Sequence, residues 1–281
     1  MSFIETLKVL VLGIVEGFTE WLPISSTGHL ILVDKIVQFK QPEEFVNMFK
    51  VIIQLGAILA VLVIYFHKLN PFSRRKKPAQ KRATIRLWMK IVVACLPAAV
   101  FGLLLDDWID AVLMDNAYVV SAMLILYGVL FILVENRNMG HSAQVQKVGQ
   151  ISFQLALYIG LFQVLAMIPG TSRSGATILG AMVLGCSRSA AAEFSFFLGI
   201  PVMFGASGLK IVKYFLEGNT FTGPQVFYLL FGMLVAFVVS VYSIKFLMGY
   251  IKNNDFKFFG YYRIVLGIIV LAYFGVTALV G

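Results

Sequence analysis

The chain has 281 residues, 59% of them hydrophobic and only 13% charged, with a mean hydropathy of +0.87. Soluble domains carry about 25% charged residues, and several apolar runs here are long enough to cross a ~30 Å hydrocarbon core. A soluble globular fold is excluded, and the lack of strict alternation excludes a membrane β-barrel.

What remains is an all-α polytopic membrane protein, read as a single integral membrane domain over residues 1–281. The net charge of +9 does not mark a nucleic-acid partner, because the bases crowd beside membrane segments. Residues 67–90 hold His67, Lys68, Arg74, Arg75, Lys76, Lys77, Lys81, Arg82, Arg86 and Lys90, the pattern of a cytoplasmic loop. Cys95 and Cys186 lie in apolar surroundings and offer no disulfide framework. The start has no basic region before its apolar run and carries Glu5, so no cleavable signal peptide is expected.

In chain order, the first hydrophobic region covers 3–39 and is broken in its middle by "PISSTGHL" (23–30). Spans are expected at 47–66, 86–105 and 118–135. A second broken region covers 151–187 and carries "PGTSRSGATI" (169–178). Further spans follow at 193–215, 225–250 and 261–280. The halves of each broken region are short and their centres polar, which predicts two re-entrant helix–loop–helix hairpins beside six transmembrane helices.

Charge bias sets the orientation. Loop 67–85 goes to the cytoplasm, the acidic "DDWIDAVLMDN" (106–116) goes outside, and loops 136–150 and 251–260 return inside. Six crossings put both termini outside. Lys210 and Lys213 fall near an outer end, a mild exception. The first hairpin then enters from outside and the second from the cytoplasm, so the two are candidates for inverted repeats, covering roughly 1–105 and 150–250. "GIVEGFTEWLPISSTG" (13–28) parallels "GLFQVLAMIPGTSRSG" (160–175) at an offset of 147 (160 − 13 and 172 − 25). Such symmetry brings two broken helices together near the midplane, where inverted-repeat proteins place their sites.

Glu16 and Glu20 lie inside the first apolar run, with Glu193 a third candidate. A carboxylate at membrane centre costs about 2.5–3.5 kcal/mol on insertion scales, so it is a functional hypothesis by default. Spacing i, i+4 puts both on one helix face. Two carboxylates so close call for a shared proton or a divalent cation; a pair lining an aqueous cavity is the blander alternative. In the second break, Pro169, Gly170 and Gly175 let the backbone approach a ligand. Ser172, Ser174 and Thr177 supply hydroxyls, and a helix expected from about Gly175 offers free N–H groups to an anion. Arg173 suits a bidentate grip on phosphate, against the alternative of snorkelling to the interface. In the first break, Ser25, Ser26 and Thr27 are donors, and His29 could serve as acid, base or nucleophile. Together the breaks describe a phosphate-processing site within the membrane.

"EGFTEWLPISSTGH" (16–29), "PGTSRSGAT" (169–177) and "EFSFFLGIP" (193–201) resemble the motifs of the undecaprenyl-diphosphate phosphatase family, also called bacitracin-resistance proteins. The resemblance runs over nearly the whole chain. It implies hydrolysis of undecaprenyl diphosphate to undecaprenyl phosphate and inorganic phosphate, which recycles the lipid carrier for peptidoglycan and confers bacitracin resistance. It also implies a bacterial inner-membrane location, a site opening to the extracytoplasmic side, and a divalent cation, Mg or Ca. Carried over by position, Glu16 and Glu20 are metal or acid–base carboxylates, His29 a catalytic candidate and Arg173 the phosphate clamp. Gly170, Ser25, Ser26, Thr27, Ser172, Ser174 and Thr177 bind diphosphate or, among the hydroxyls, supply the nucleophile. Water, Ser26 and His29 all stay open for that role. The expected partners are the polyprenyl diphosphate and membrane lipid, with a second copy of the chain as an open option. A lipid flippase or ion-coupled transporter is the main rival, since it shares the architecture. The acid-phosphatase-type lipid phosphatases are disfavoured, because no histidine follows Arg173.

Overall fold

The computed structural model describes residues 2–113 and 116–280; the side chains of Thr27, Ile31, Asp34, Lys35, 106–112 and 277–280 lie outside that description. The expected acidic connection 106–116 therefore falls mostly outside the described side chains. Among the described residues the fold is helical, in the order α1 Phe3–Thr19, α2 Ser26–Val37, α3 Glu43–Ile64, α4 Phe66–Leu69, α5 Pro78–Val112, α6 Ala117–Asn138, α7 Phe153–Val164, α8 Arg173–Val183, α9 Arg188–Leu216, α10 Gly223–Tyr250 and α11 Lys257–Val280. Six of these, α3, α5, α6, α9, α10 and α11, are long and apolar enough to cross a membrane.

Helix ends depart from the expected bounds for local reasons. The basic stretch expected as loop 67–85 holds α4 and the first two turns of α5, because lysine and arginine are good helix formers and Pro78 suits a helix start. Helix α9 begins at Arg188 rather than 193, where the Ser187 hydroxyl accepts from the Ala190 amide and caps it. Helix α11 begins at Lys257, four residues before its expected start.

The two broken regions are pairs of helices with irregular centres. Helices α1 and α2 have 17 and 12 residues, and α7 and α8 have 12 and 11. At about 1.5 Å per residue, none but α1 comes near the membrane thickness. An offset of 147 (173 − 26) carries the first residue of α2 onto the first residue of α8. The same shift brings the starts of α1, α3 and α5 within three residues of the starts of α7, α9 and α10. Each short first helix packs on the last long helix of the opposite half, α1 on α10 and α7 on α5. Close approach is licensed by glycine: a Cβ at Gly160 would collide with the Ala94 backbone of α5. Helices α6 and α11 pair with each other and close the bundle beside both breaks.

Candidate active site

Helix α1 stops at Thr19, but the Glu20 amide still donates to the Glu16 carbonyl (3.0 Å). The two glutamates are therefore held on one face by the last helical turn. Trp21 then turns inward, fully buried, and the chain runs through Leu22-Pro23-Ile24 to Ser25. That serine adopts a left-handed backbone, φ 73°, and its hydroxyl accepts from the Gly28 amide (3.3 Å), starting α2 at Ser26. The second break repeats the device. Ser172 has φ 72° and accepts from the Gly175 amide (3.1 Å), and α8 starts at Arg173, two residues before its expected position. Gly170, at φ 90°, is required because a Cβ there would meet the Val120 carbonyl of α6 at 2.5 Å.

The breaks meet at Arg173. Its Nη2 donates to Glu20 Oε1 (3.1 Å), with the two side chains 11% and 8% exposed. Its Nη1 donates to the Ser195 carbonyl of α9 (2.8 Å), and its guanidinium lies 5.8 Å from the Trp21 ring. The other Glu20 oxygen, Oε2, accepts from the Ser26 hydroxyl (2.8 Å). Glu20 thus joins a hydroxyl from its own loop to a guanidinium from the other. Glu16 is fully buried, and neither of its carboxylate oxygens has a hydrogen-bond partner among the described residues. It lies within electrostatic range of both Glu20 and Arg173.

Other candidates have different placements. Ser174 staples the loops together: its hydroxyl donates to the Glu20 carbonyl (3.1 Å), with the Leu22 carbonyl at 3.3 Å. Thr177 donates to the Arg173 carbonyl (2.8 Å) and meets Ser195 Oγ (2.6 Å), deep in the core. The carbonyl of Ser25 can only accept, so His29 Nδ1 carries the proton of that bond (2.7 Å), and Nε2 accepts from the Tyr262 hydroxyl (2.7 Å). No hydrogen bond joins His29 to Glu20, Ser26 or Arg173 among the described residues. The Thr27 side chain is outside the description. Glu193 is elsewhere, paired with Lys68 (2.5 Å), and a cavity of about 720 Å³ at the far ends of α6 and α8 is lined by none of the candidates.

Three contributors, Ser195, Tyr262 and Arg263, were not singled out among the candidate site residues. Ser195, in a run of phenylalanines, offered no signal for its carbonyl's role. Tyr262 and Arg263 did: an arginine inside "YYRIVLG" is costly in lipid, but its closeness to the expected start of a span disguised it as a flanking charge.

A divalent oxygen-seeking ion asks for one or two carboxylates plus phosphate oxygens in sites of the magnesium type. No cluster of three or more His, Cys, Asp or Glu exists among the described residues. The unpartnered Glu16 carboxylate beside Glu20 matches the two-carboxylate version of that donor set.

A family model described as bacitracin resistance protein BacA matches residues 9–269, a stretch containing both breaks and α11 through Arg263. The chain belongs to this family. A protein named undecaprenyl-diphosphatase from Streptococcus thermophilus (strain ATCC BAA-250 / LMG 18311) is 58% identical over 278 residues, covering 99% of this chain and 96% of its own. Proteins of the same name from Desulfitobacterium hafniense (56% over 282 residues, 100% of both chains) and Enterococcus faecalis (56% over 273 residues, 97% and 99%) are similarly related.

Proposed function

We propose that this chain hydrolyses undecaprenyl diphosphate to undecaprenyl phosphate and inorganic phosphate. That reaction recycles the lipid carrier for peptidoglycan synthesis and sustains growth under bacitracin. The single observation that carries the reading is the meeting of Ser26, Glu20 and Arg173 across two loops, in a chain whose relatives are named undecaprenyl-diphosphatase. The protein is a multi-pass membrane enzyme of the bacterial inner membrane in this reading. Its short broken pairs α1–α2 and α7–α8 are re-entrant, related as inverted repeats, and the site opens to the extracytoplasmic side.

Phosphoryl transfer asks for positioning and for neutralisation of charge on the transferring oxygens. Arg173 turns its fork from Glu20 to the terminal phosphoryl group, in the bidentate manner of guanidinium. Ser26 is the nucleophile, with Glu20 as its base, since an activated serine has its base within hydrogen-bond reach. Ser26 Oγ attacks the terminal phosphorus as its proton passes to Glu20. The bond to the bridging oxygen breaks, and undecaprenyl phosphate leaves with that electron pair. Water then cleaves the phosphoserine, giving inorganic phosphate and restoring Ser26. His29 is less suited to attack, because Tyr262 occupies its Nε2; it orients the Ser25–Ser26 turn instead. Glu16 and Glu20 would hold a divalent cation, Mg or Ca, which when bound supplies further neutralisation of phosphate oxygens.

The test is phosphate release from a polyprenyl diphosphate by purified protein in detergent, with acid quench to trap phosphoserine. Turnover that disappears in Ser26→Ala, with a trapped phosphoenzyme in the parent, is expected. A protein that releases no phosphate but exchanges lipid phosphates across sealed vesicles would replace this reading with the transporter.

A further inference from the structure

We infer that Arg263 is a positioning residue that sets the separation of the two polar loops. Arg263 is fully buried in α11, and among the described residues no hydrogen bond or ion pair joins it to Glu20, Ser26 or Arg173. Its Nη1 donates to the Pro23 carbonyl in the first loop (3.1 Å). Its Nη2 donates to the Gly170 and Thr171 carbonyls in the second loop (both 2.9 Å), with the Met123 carbonyl of α6 at 3.4 Å. One guanidinium thus spans both breaks, three residues before the start of α2 and three and two residues before the start of α8. Its terminal nitrogen also packs against Gly175, the residue whose amide Ser172 holds.

No carboxylate lies within ion-pair distance of Arg263 among the described residues, and the Tyr127 ring faces it at 5.5 Å. A cation kept in the membrane interior without a counter-charge is expensive. Carbonyl groups of irregular backbone at this depth must be satisfied inside the protein, and a guanidinium offers five donors in a fixed plane. A lysine keeps the charge but cannot reproduce that plane. The helix is brought close enough by glycine pairing: a Cβ at Gly128 of α6 would stand 2.7 Å from the Gly260 carbonyl of α11, and the converse holds at Gly260. Tyr262, the preceding residue, holds His29 of the first loop. Helix α11 is therefore the strut against which both loops are set, with Arg263 as the point of attachment.

This inference rests on the phosphatase reading, under which Ser26 and Arg173 must reach one phosphorus atom. Loop separation then controls the transition state, and a displacement of ~1 Å can cost about a hundredfold in rate. Phosphate release by the parent protein tests the underlying reading. The inference is tested separately by a double-mutant cycle of Arg263→Gln with Arg173→Lys, and by Arg263→Lys, all compared with the parent for elution and melting in detergent. We expect Arg263→Gln and Arg263→Lys each to lower kcat by about a hundredfold with KM little changed. In the Arg173→Lys background, where the bidentate fork is already lost, the same change should cost far less, because residues acting as a unit are non-additive. Equal losses in both backgrounds would overturn the inference, as would a kcat in Arg263→Lys close to the parent. Failure of both Arg263 variants to fold would also overturn it, making Arg263 a requirement of the fold and not of the site.

Discussion

In both polar loops the residue ahead of the second helix is a serine in the left-handed region, and its hydroxyl accepts from a glycine amide three positions on. Beyond that shared turn the two loops diverge. The first carries Glu16 and Glu20 on the incoming helix and Ser26 at the outgoing one. The second carries Gln163 at the position corresponding to Glu16, and Arg173 at the position corresponding to Ser26. The scaffold is duplicated while the charges are divided, acids on one copy and a guanidinium on the other. This division has a physical use. A carboxylate and an arginine that meet only across the loops compensate each other while the site is empty, and removing one partner of a buried pair costs about 3–5 kcal/mol. An anionic ligand can replace Glu20 at the arginine, so the same event that binds phosphate frees Glu20 to act on Ser26.

If the second loop contributes the anion grip, Arg173→Ala should do the greatest damage. Arginines that stabilise phosphoryl transfer are worth about 10³–10⁵ in rate, and phosphate release should fall by that order, far beyond what the accompanying drop in melting temperature from leaving Glu20 unpaired accounts for in protein that still elutes folded in detergent. Arg173→Lys, retaining charge without the fork, should lie between. A loss under tenfold in the alanine variant would refute the division of labour. On the first loop, Glu20→Gln removes the base but leaves an amide that can still bond Ser26. The expected loss is about 10²–10⁴, the range for general-base catalysis. Near-parental turnover there would move the base elsewhere.

Glu16→Gln makes the first incoming helix equivalent to the second at that position, and so blurs the comparison directly. Its carboxylate has no hydrogen-bond partner among the described residues, so little packing should be lost. We expect a smaller fall than in Glu20→Gln, together with loss of the response to added Mg or to a chelator. Undiminished cation dependence in this variant would remove Glu16 from the proposed ion site.

Much of this arrangement was legible in the residues alone. Six spans followed from length and hydropathy, and the two breaks followed from Pro, Gly and hydroxyls interrupting apolar runs. The acids and Arg173 stood out because charge in lipid is costly. Less visible were features that depend on where backbone groups point. Thr177 and Ser174 have the same side-chain chemistry as Ser26, yet they serve carbonyls of the fold, and no spacing distinguishes a hydroxyl facing a ligand from one facing a neighbour. His29 stood as a candidate acid, base or nucleophile, and only the fold showed that Tyr262, 233 residues away in sequence, occupies its second nitrogen. Arg263 was hidden by its nearness to a helix end, since the snorkelling of a flanking arginine and the burial of a central one look alike over a few residues.

The smallest effects test whether the duplicated turn is truly equivalent. At Ser172 and Ser25, alanine removes the cap and also forces a Cβ with no compensating bond into φ near +72°. Loss of such a cap costs about 0.5–2 kcal/mol, whereas glycine in its place costs only a few tenths because it tolerates the left-handed backbone. Alanine at either serine should therefore lower the melting temperature in detergent by a few degrees, at about 2–4 °C per kcal/mol for a chain of this class, and glycine by less. The order alanine below glycine below serine should hold at both positions. Should glycine prove worse than alanine at one of them, that turn does not need its left-handed serine, and the two loops share a sequence pattern without sharing the geometry that makes them comparable.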